Sequence, residues 1–151
     1  MPVALKEVFA FFSNPENLPK ITPPWVGFKI LTPPPIVMGL GTLIDYEVRL
    51  HHIPMRWRSK ITEWKPPYQF ADLQLKGPYS YWHHVHSFAE SKGGTLVTDD
   101  IDYAVPFSGM PGAGFVEHHF VKPELERIFA HRSAALRVEF GLELTDESPK
   151  K

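Results

Sequence analysis

The sequence predicts an α+β domain in which a curved antiparallel sheet of six strands is covered by one long C-terminal helix and preceded by two short helices. Three observations carry this prediction. The apolar period is near 3.6 at both ends of the chain and two between them. Short Gly- or Pro-bearing connections recur through the middle, the spacing of a meander. A single apolar stripe near the C-terminus supplies the cover that a one-faced sheet needs.

Taken in order, Leu5, Val8, Phe9 and Phe12 mark one buried face of a first helix. Asn14 followed by Pro15 reads as the N-cap and first position of a second short helix, ending near Pro19. Six strands follow: 27–31, 42–51, 55–65, 69–76, 81–90 and 95–105. The breaks between them include Gly39 and Gly41, the pair Pro66-Pro67, Gly77-Pro78 and Gly93-Gly94. In the last helix Leu125, Ile128, Phe129, Arg132 and Leu136 form one stripe. Pro123 either opens that helix or kinks a longer one beginning near Phe115. The tail TDESPKK reads as frayed.

Composition excludes several classes. The 151 residues carry a formal net charge of −1, which argues against nucleic-acid binding through bulk positive charge. No apolar run is long enough to cross a membrane as a helix. The opening MPVALKEVFAFF lacks the features of a secretory leader, so a cytoplasmic location is expected. Cysteine is absent, which removes disulfides, thiolate catalysis and Cys-based zinc sites together. Pro plus Gly make 26 residues, too few for a disordered chain, and the sequence forms one domain over 1–151.

Strand alternation sorts side chains by face. Trp82, His84, His86 and Phe88 share one face, and Trp and Phe mark it as inward. Thr95, Val97, Asp99, Ile101, Tyr103 and Val105 form the inward face of the last strand. Ile44, Tyr46, Val48 and Leu50 point in from one strand, and Trp57, Ser59, Ile61 and Glu63 from the next. Strand 69–76 is ambiguous: either Phe70, Asp72 and Gln74 or Ala71, Leu73 and Leu75 face the core, and the apolar trio is the plainer choice.

The inward polar set is therefore His84, His86, Asp99, Tyr103 and Glu63, with Asp72 if its strand faces that way. Buried ionisable groups are costly unless paired, so such a set suggests a polar end to a cavity. Three readings compete for His84 and His86: core histidines satisfied by Asp99 or a carbonyl, ligand-orienting or acid–base groups, or metal ligands. The H-x-H spacing alone is a weak metal signal, and the expectation is no metal and no cofactor. Neither His51-His52 nor His118-His119 makes a site alone, because neighbours in a strand or helix point apart.

The order of elements, with the runs VFAFFSNPENLPKITPPW, KGPYSYWHHVHSF, GGTLVTDDIDYAVPF and ERIFAHR, resembles the START-like superfamily (SRPBCC proteins). The likeness is to a bacterial branch of ligand-binding and polyketide cyclase/dehydrase-like proteins, and it covers nearly the whole chain. It implies the helix-grip fold of the birch-pollen allergen family. That fold normally opens with a strand before the first helix. Here MPVALKEV leaves no room for one: either the start codon is assigned late or the strand is missing, and a missing strand would leave an exposed sheet edge open to pairing with a second copy.

The expected function is binding of a small, largely apolar molecule with a polar head, held between sheet and long helix. Trp57, Trp82, Phe88, Ile101 and Phe129 would form its apolar walls. Glu63, His84, His86, Asp99 and Tyr103 would form its polar end. The resemblance keeps open a cyclase/dehydrase-like enzyme acting on a polyketide or related carbonyl compound. There His84 or His86 would remove a proton alpha to a carbonyl, Asp99 would hold the imidazole tautomer, and Tyr103 would donate to the oxyanion. A partner-regulating module docking through the free edge is the third expectation.

Overall fold

The structure is a computed structural model and describes residues 1–50 and 53–142. Helix α1 (Leu5–Phe12) buries the expected face: Leu5, Val8, Phe9 and Phe12. The Asn14 side chain accepts the Glu16 backbone N–H at 3.1 Å and caps a 3-10 turn over Pro15–Asn17. Helix α2 (Leu18–Ile21) continues from it. The six strands are β1 (Lys29–Ile30), β2 (Leu43–Leu50), β3 (Ile53–Lys65), β4 (Gln69–Lys76), β5 (Tyr81–Ser91) and β6 (Gly94–Ala104). They form one antiparallel sheet in sequence order. The His51-His52 pair and the TDESPKK tail lie outside the described residues.

The C-terminal helical run takes both courses that Pro123 allows. It begins as α3 (Ala113–Val116), widens into a π turn over Glu117–Val121, and continues as α4 (Lys122–Glu139). Proline has no N–H to donate to the preceding turn, and the wide turn sits where that bond is missing. Trp25 Nε1 donates to Glu124 at 3.0 Å and Lys20 donates to Glu139 at 3.2 Å, which ties the N-terminal segment to α4.

Register fixes which faces turn inward. Residues directly opposite each other in an antiparallel pair share a face. Phe70 lies opposite His86 and Asp72 opposite His84, so Phe70 and Asp72 face inward, against the apolar-trio choice. Leu75, a member of that trio, is exposed. A bulge in β3 places one extra residue between Ile61 and Glu63. It reverses the parity beyond Ile61: Trp64 pairs with Phe70 on the inner face, and Glu63 turns to the outer one.

Two apolar clusters result. One lies beneath α1 and joins Phe9 and Phe12 to Phe70, Phe88 and Leu136. The other gathers Val26, Val48, Trp57 and Trp82, with Leu125 and Ile128 packed on it from α4. Met1 exchanges two backbone hydrogen bonds with Thr95, each 2.7 Å, and Thr95 Oγ1 donates to the Val3 carbonyl. The Met1 backbone runs so close to Gly94 that a Cβ there would collide with it. Beyond Thr95, β6 is a sheet edge with no strand partner among the described residues.

Candidate functional site

Between the two apolar clusters, sheet and α4 enclose a cavity of about 200 Å³. Ile44, Trp57, Ile61 and Trp82 line it from the strands, and Leu125, Ile128 and Phe129 from α4. Its polar wall gathers Ser59, Asp72, His84, His86 and Arg132. The alternation of β3 and β5 supplies Ser59 and both histidines. The β4 register supplies Asp72, and the apolar stripe of α4 supplies Arg132.

Asp99, opposite His86 on β6, stands behind this wall. His84 Nε2 lies 3.0 Å from Asp99 Oδ1. His86 Nδ1 lies 2.7 Å from the same oxygen, but off-line, so it has a close charge and no aligned acceptor. The two rings sit 3.8 Å apart, centroid to centroid. His86 stacks on Phe70 at 4.3 Å, and its Nε2 is 3.6 Å from Asp72 Oδ2. On the other side of Asp72, Ser59 Oγ donates to Asp72 Oδ1 at 3.1 Å and accepts Trp57 Nε1 at 3.1 Å. The Tyr46 hydroxyl, 3.1 Å from Ser59 Oγ, completes the chain.

Burial would raise the pKa of Asp99, but contacts from His84 and His86 and the Arg132 charge hold it well below the usual carboxylate range. Asp72 is also lowered: the histidines and the Ser59 bond outweigh the effect of its burial. Both acids are thus ionised near neutral pH. Burial and the neighbouring His86 push His84 down to about 4, despite Asp99. A neutral His84 facing an ionised carboxylate must donate from Nε2, which leaves Nδ1 as the free base. Burial, together with the Asp72 charge, raises the Tyr46 phenol well above its ordinary value and outweighs the opposing Ser59 bond, so it remains protonated.

Arg132 is the one described cation in this wall. Burial lowers its pKa while Asp99 and Asp72 oppose that, and a guanidinium stays charged under such shifts. It lies 5.2 Å from the Phe12 ring centre and 5.9 Å from that of Phe129. Its Nε is 3.9 Å from Asp99 Oδ2 and has no hydrogen-bond partner among the described residues.

Of the expected site residues, Trp57, Trp82, His84, His86 and Phe129 line the cavity, and Asp99 backs it. Phe88 is buried in the cluster beneath α1 rather than in the cavity wall. Ile101 and Tyr103 pack against the Trp57–Trp82 cluster without reaching the cavity lining. Glu63 is turned outward by the bulge and binds Lys65 at 2.7 Å and Gln69 at 2.8 Å. Arg132 was legible as a stripe residue but not as a site residue. The signal was there, since a cation in an otherwise apolar stripe is costly without a purpose. Asp72, His84 and His86 could also hold a cation, their ligand atoms lying within 4.8 Å of one another. Arg132 already sets one positive charge against Asp72 and Asp99, which weakens the case for a metal ion.

The family model described as polyketide cyclase / dehydrase and lipid transport matches residues 1–125. No curated protein matches the sequence. Among solved structures, the chain is similar to Ms6760 from Mycobacterium smegmatis, with 14% identity and a TM-score of 0.67, covering 93% of this chain and 86% of that one. It is similar to TTHA0849 from Thermus thermophilus, with 14% identity and a TM-score of 0.64, covering 90% and 88%. The structure of Ara h 8.0201 aligns at 15% identity and a TM-score of 0.59, covering 89% and 91%. At these identities the likeness establishes the fold, a helix grip.

Proposed function

For a chain that belongs to the polyketide cyclase/dehydrase and lipid transport family, we propose that it binds one small, largely apolar molecule with a polar head between sheet and α4. The observation that carries this reading is the single cavity wall where Asp72, His84, His86 and Arg132 meet, set among Trp, Phe, Ile and Leu side chains. Ligand pockets typically have this make-up: apolar walls with a few convergent polar groups. Burial of the ligand's apolar surface supplies affinity, at roughly 25 cal/mol per Å² before the costs of association. The polar wall orients the head. About 200 Å³ suits a compact ligand rather than a long acyl chain.

The experiment is native mass spectrometry of protein purified without denaturation from its own host. A single added mass, released on unfolding and rebound by the stripped protein, is the expected result. A bare chain that binds nothing back from an extract of the same cells contradicts the reading.

A second reading rests on the His84–Asp99 pair. A neutral imidazole held by an ionised carboxylate at a cavity wall is the arrangement of a general base. In a cyclase/dehydrase-like reaction His84 would take the proton alpha to a substrate carbonyl. Tyr103 has no part in this version, since it lies outside the cavity lining. Turnover of a 1,3-dicarbonyl compound that is lost in His84→Phe but kept in Tyr103→Phe tests it. A cytoplasmic location, and pairing of two copies along the free edge of β6, complete the proposal.

A further inference from the structure

Arg132 Nε is one of two buried side-chain atoms without a hydrogen-bond partner among the described residues, His86 Nδ1 being the other. The Arg132 side chain lines the cavity. Its nearest carboxylate is at 3.9 Å, too far for a hydrogen bond. Phe12 and Phe129 flank it and fix its place. Nε itself is out of a ligand's reach, but the rest of the guanidinium also makes no hydrogen bond within the described protein, and an acceptor atom on a ligand in the cavity would supply one.

The charges around it narrow the choice of acceptor. Asp99 from β6 and Asp72 from β4 are carboxylates, charged near neutral pH by their ordinary range, and Arg132 from α4 is the only described cation facing them. His84 and His86 from β5 lie between. Imidazoles aside, the cluster carries one negative charge in excess. A carboxylate on the ligand would add a second beside Asp99, in a setting where buried charge is poorly screened. An uncharged oxygen adds none and can accept a hydrogen bond from the guanidinium.

We infer that Arg132 is the residue that reads the ligand's head, and that the head is an uncharged carbonyl oxygen rather than a carboxylate. The inference rests on the cavity being a ligand site. It assigns Arg132 the role of holding the oxygen while the aromatic walls hold the body.

Three probes of matched shape test it: 2-acetylnaphthalene, 2-ethylnaphthalene and 2-naphthoate, titrated at pH 7.5 against intrinsic tryptophan fluorescence. The ketone should bind at least about 10-fold tighter than the hydrocarbon, and the naphthoate no tighter than the hydrocarbon. In Arg132→Met the gap between ketone and hydrocarbon should close while the hydrocarbon still binds. Equal binding of ketone and hydrocarbon by the wild type overturns the inference and leaves the cavity reading standing. So does a gap that survives in folded Arg132→Met, or naphthoate binding tightest. If the hydrocarbon does not bind at all, the cavity reading fails and this inference with it. Should Arg132→Met not fold, Arg132→Lys keeps the charge but loses the planar array of donors. The gap should then narrow several-fold, and an unchanged gap overturns the inference.

Discussion

His84 Nε2 and Asp99 Oδ1 stand 3.0 Å apart across the β5–β6 pairing, a neutral imidazole donating to a carboxylate held ionised. The bond joins the cavity wall to the edge strand, and it makes the site a determinant of stability as well as of binding.

The pH dependence follows from its sign. His84 titrates at about 4 in the folded chain against an ordinary 6.5, so the unfolded chain binds this proton more tightly. Stability is therefore full above about pH 6.5 and declines as pH falls toward 4. The shift corresponds to about 3 kcal/mol at most, at roughly 1.4 kcal/mol per pH unit. Asp99 and Asp72, both lowered from 3.8, add their loss only at more acid pH. Urea midpoints should fall between pH 7 and 4.5 in the wild type and fall less in His84→Phe. Parallel slopes would show that His84 does not set the dependence.

Replacing either histidine separates a binding role from a structural one. His84→Phe or His86→Phe roughly preserves volume, removes the polar contacts and also removes a desolvation cost. Each should weaken ligand binding about 10-fold or more, the loss of about 1.4 kcal/mol. Melting and binding measured together decide the matter: lower stability with unchanged affinity in both variants would assign the pair to the core alone.

Two residues placed away from the cavity should behave differently from that pair. Phe88 is 3% exposed beneath α1, and Phe88→Ala should cost about 3–5 kcal/mol of stability. The probe affinity of its folded fraction should hold. Glu63 lies on the outer face in an exposed pair with Lys65. Glu63→Gln should move neither the melting temperature nor binding. A binding defect in Glu63→Gln would contradict its place on the outer face.

The reach of the sequence can be seen strand by strand. Period-two alternation placed Trp82, His84, His86 and Phe88 on one face because β5 runs without a bulge from Tyr81 to Ser91. The same rule failed at Glu63, because one inserted residue in β3 inverts every later side chain and leaves no compositional mark. In β4 both faces carry apolar residues, so Asp72 could be placed only by its partner His84. Face alone did not bring Ile101 and Tyr103 to the cavity, because they pack against the Trp57–Trp82 cluster outside its lining. Arg132 stood out in the stripe as a costly cation, but its meeting with Asp99 depended on the way α4 crosses the sheet, which helical periodicity does not hold.

Elemental analysis addresses the one grouping of described residues able to hold a metal. Asp72, His84 and His86 lie close enough, but Arg132 already supplies a buried positive charge beside them. Protein purified without chelator should carry zinc and iron far below one per chain. Near-stoichiometric metal, lost in His84→Phe, would reassign the polar wall.

The central claim is that the space between sheet and α4 is a ligand site, and one titration tests it most directly. N-phenyl-1-naphthylamine, uncharged and fluorescent in apolar surroundings, should bind the wild type saturably at one per chain. Ile128, on α4, lines the cavity, so Ile128→Trp should fill the space and abolish that binding. The circular dichroism of the variant should remain that of the wild type. Undiminished one-to-one binding by a folded Ile128→Trp, or no saturable binding by the wild type, would contradict the claim.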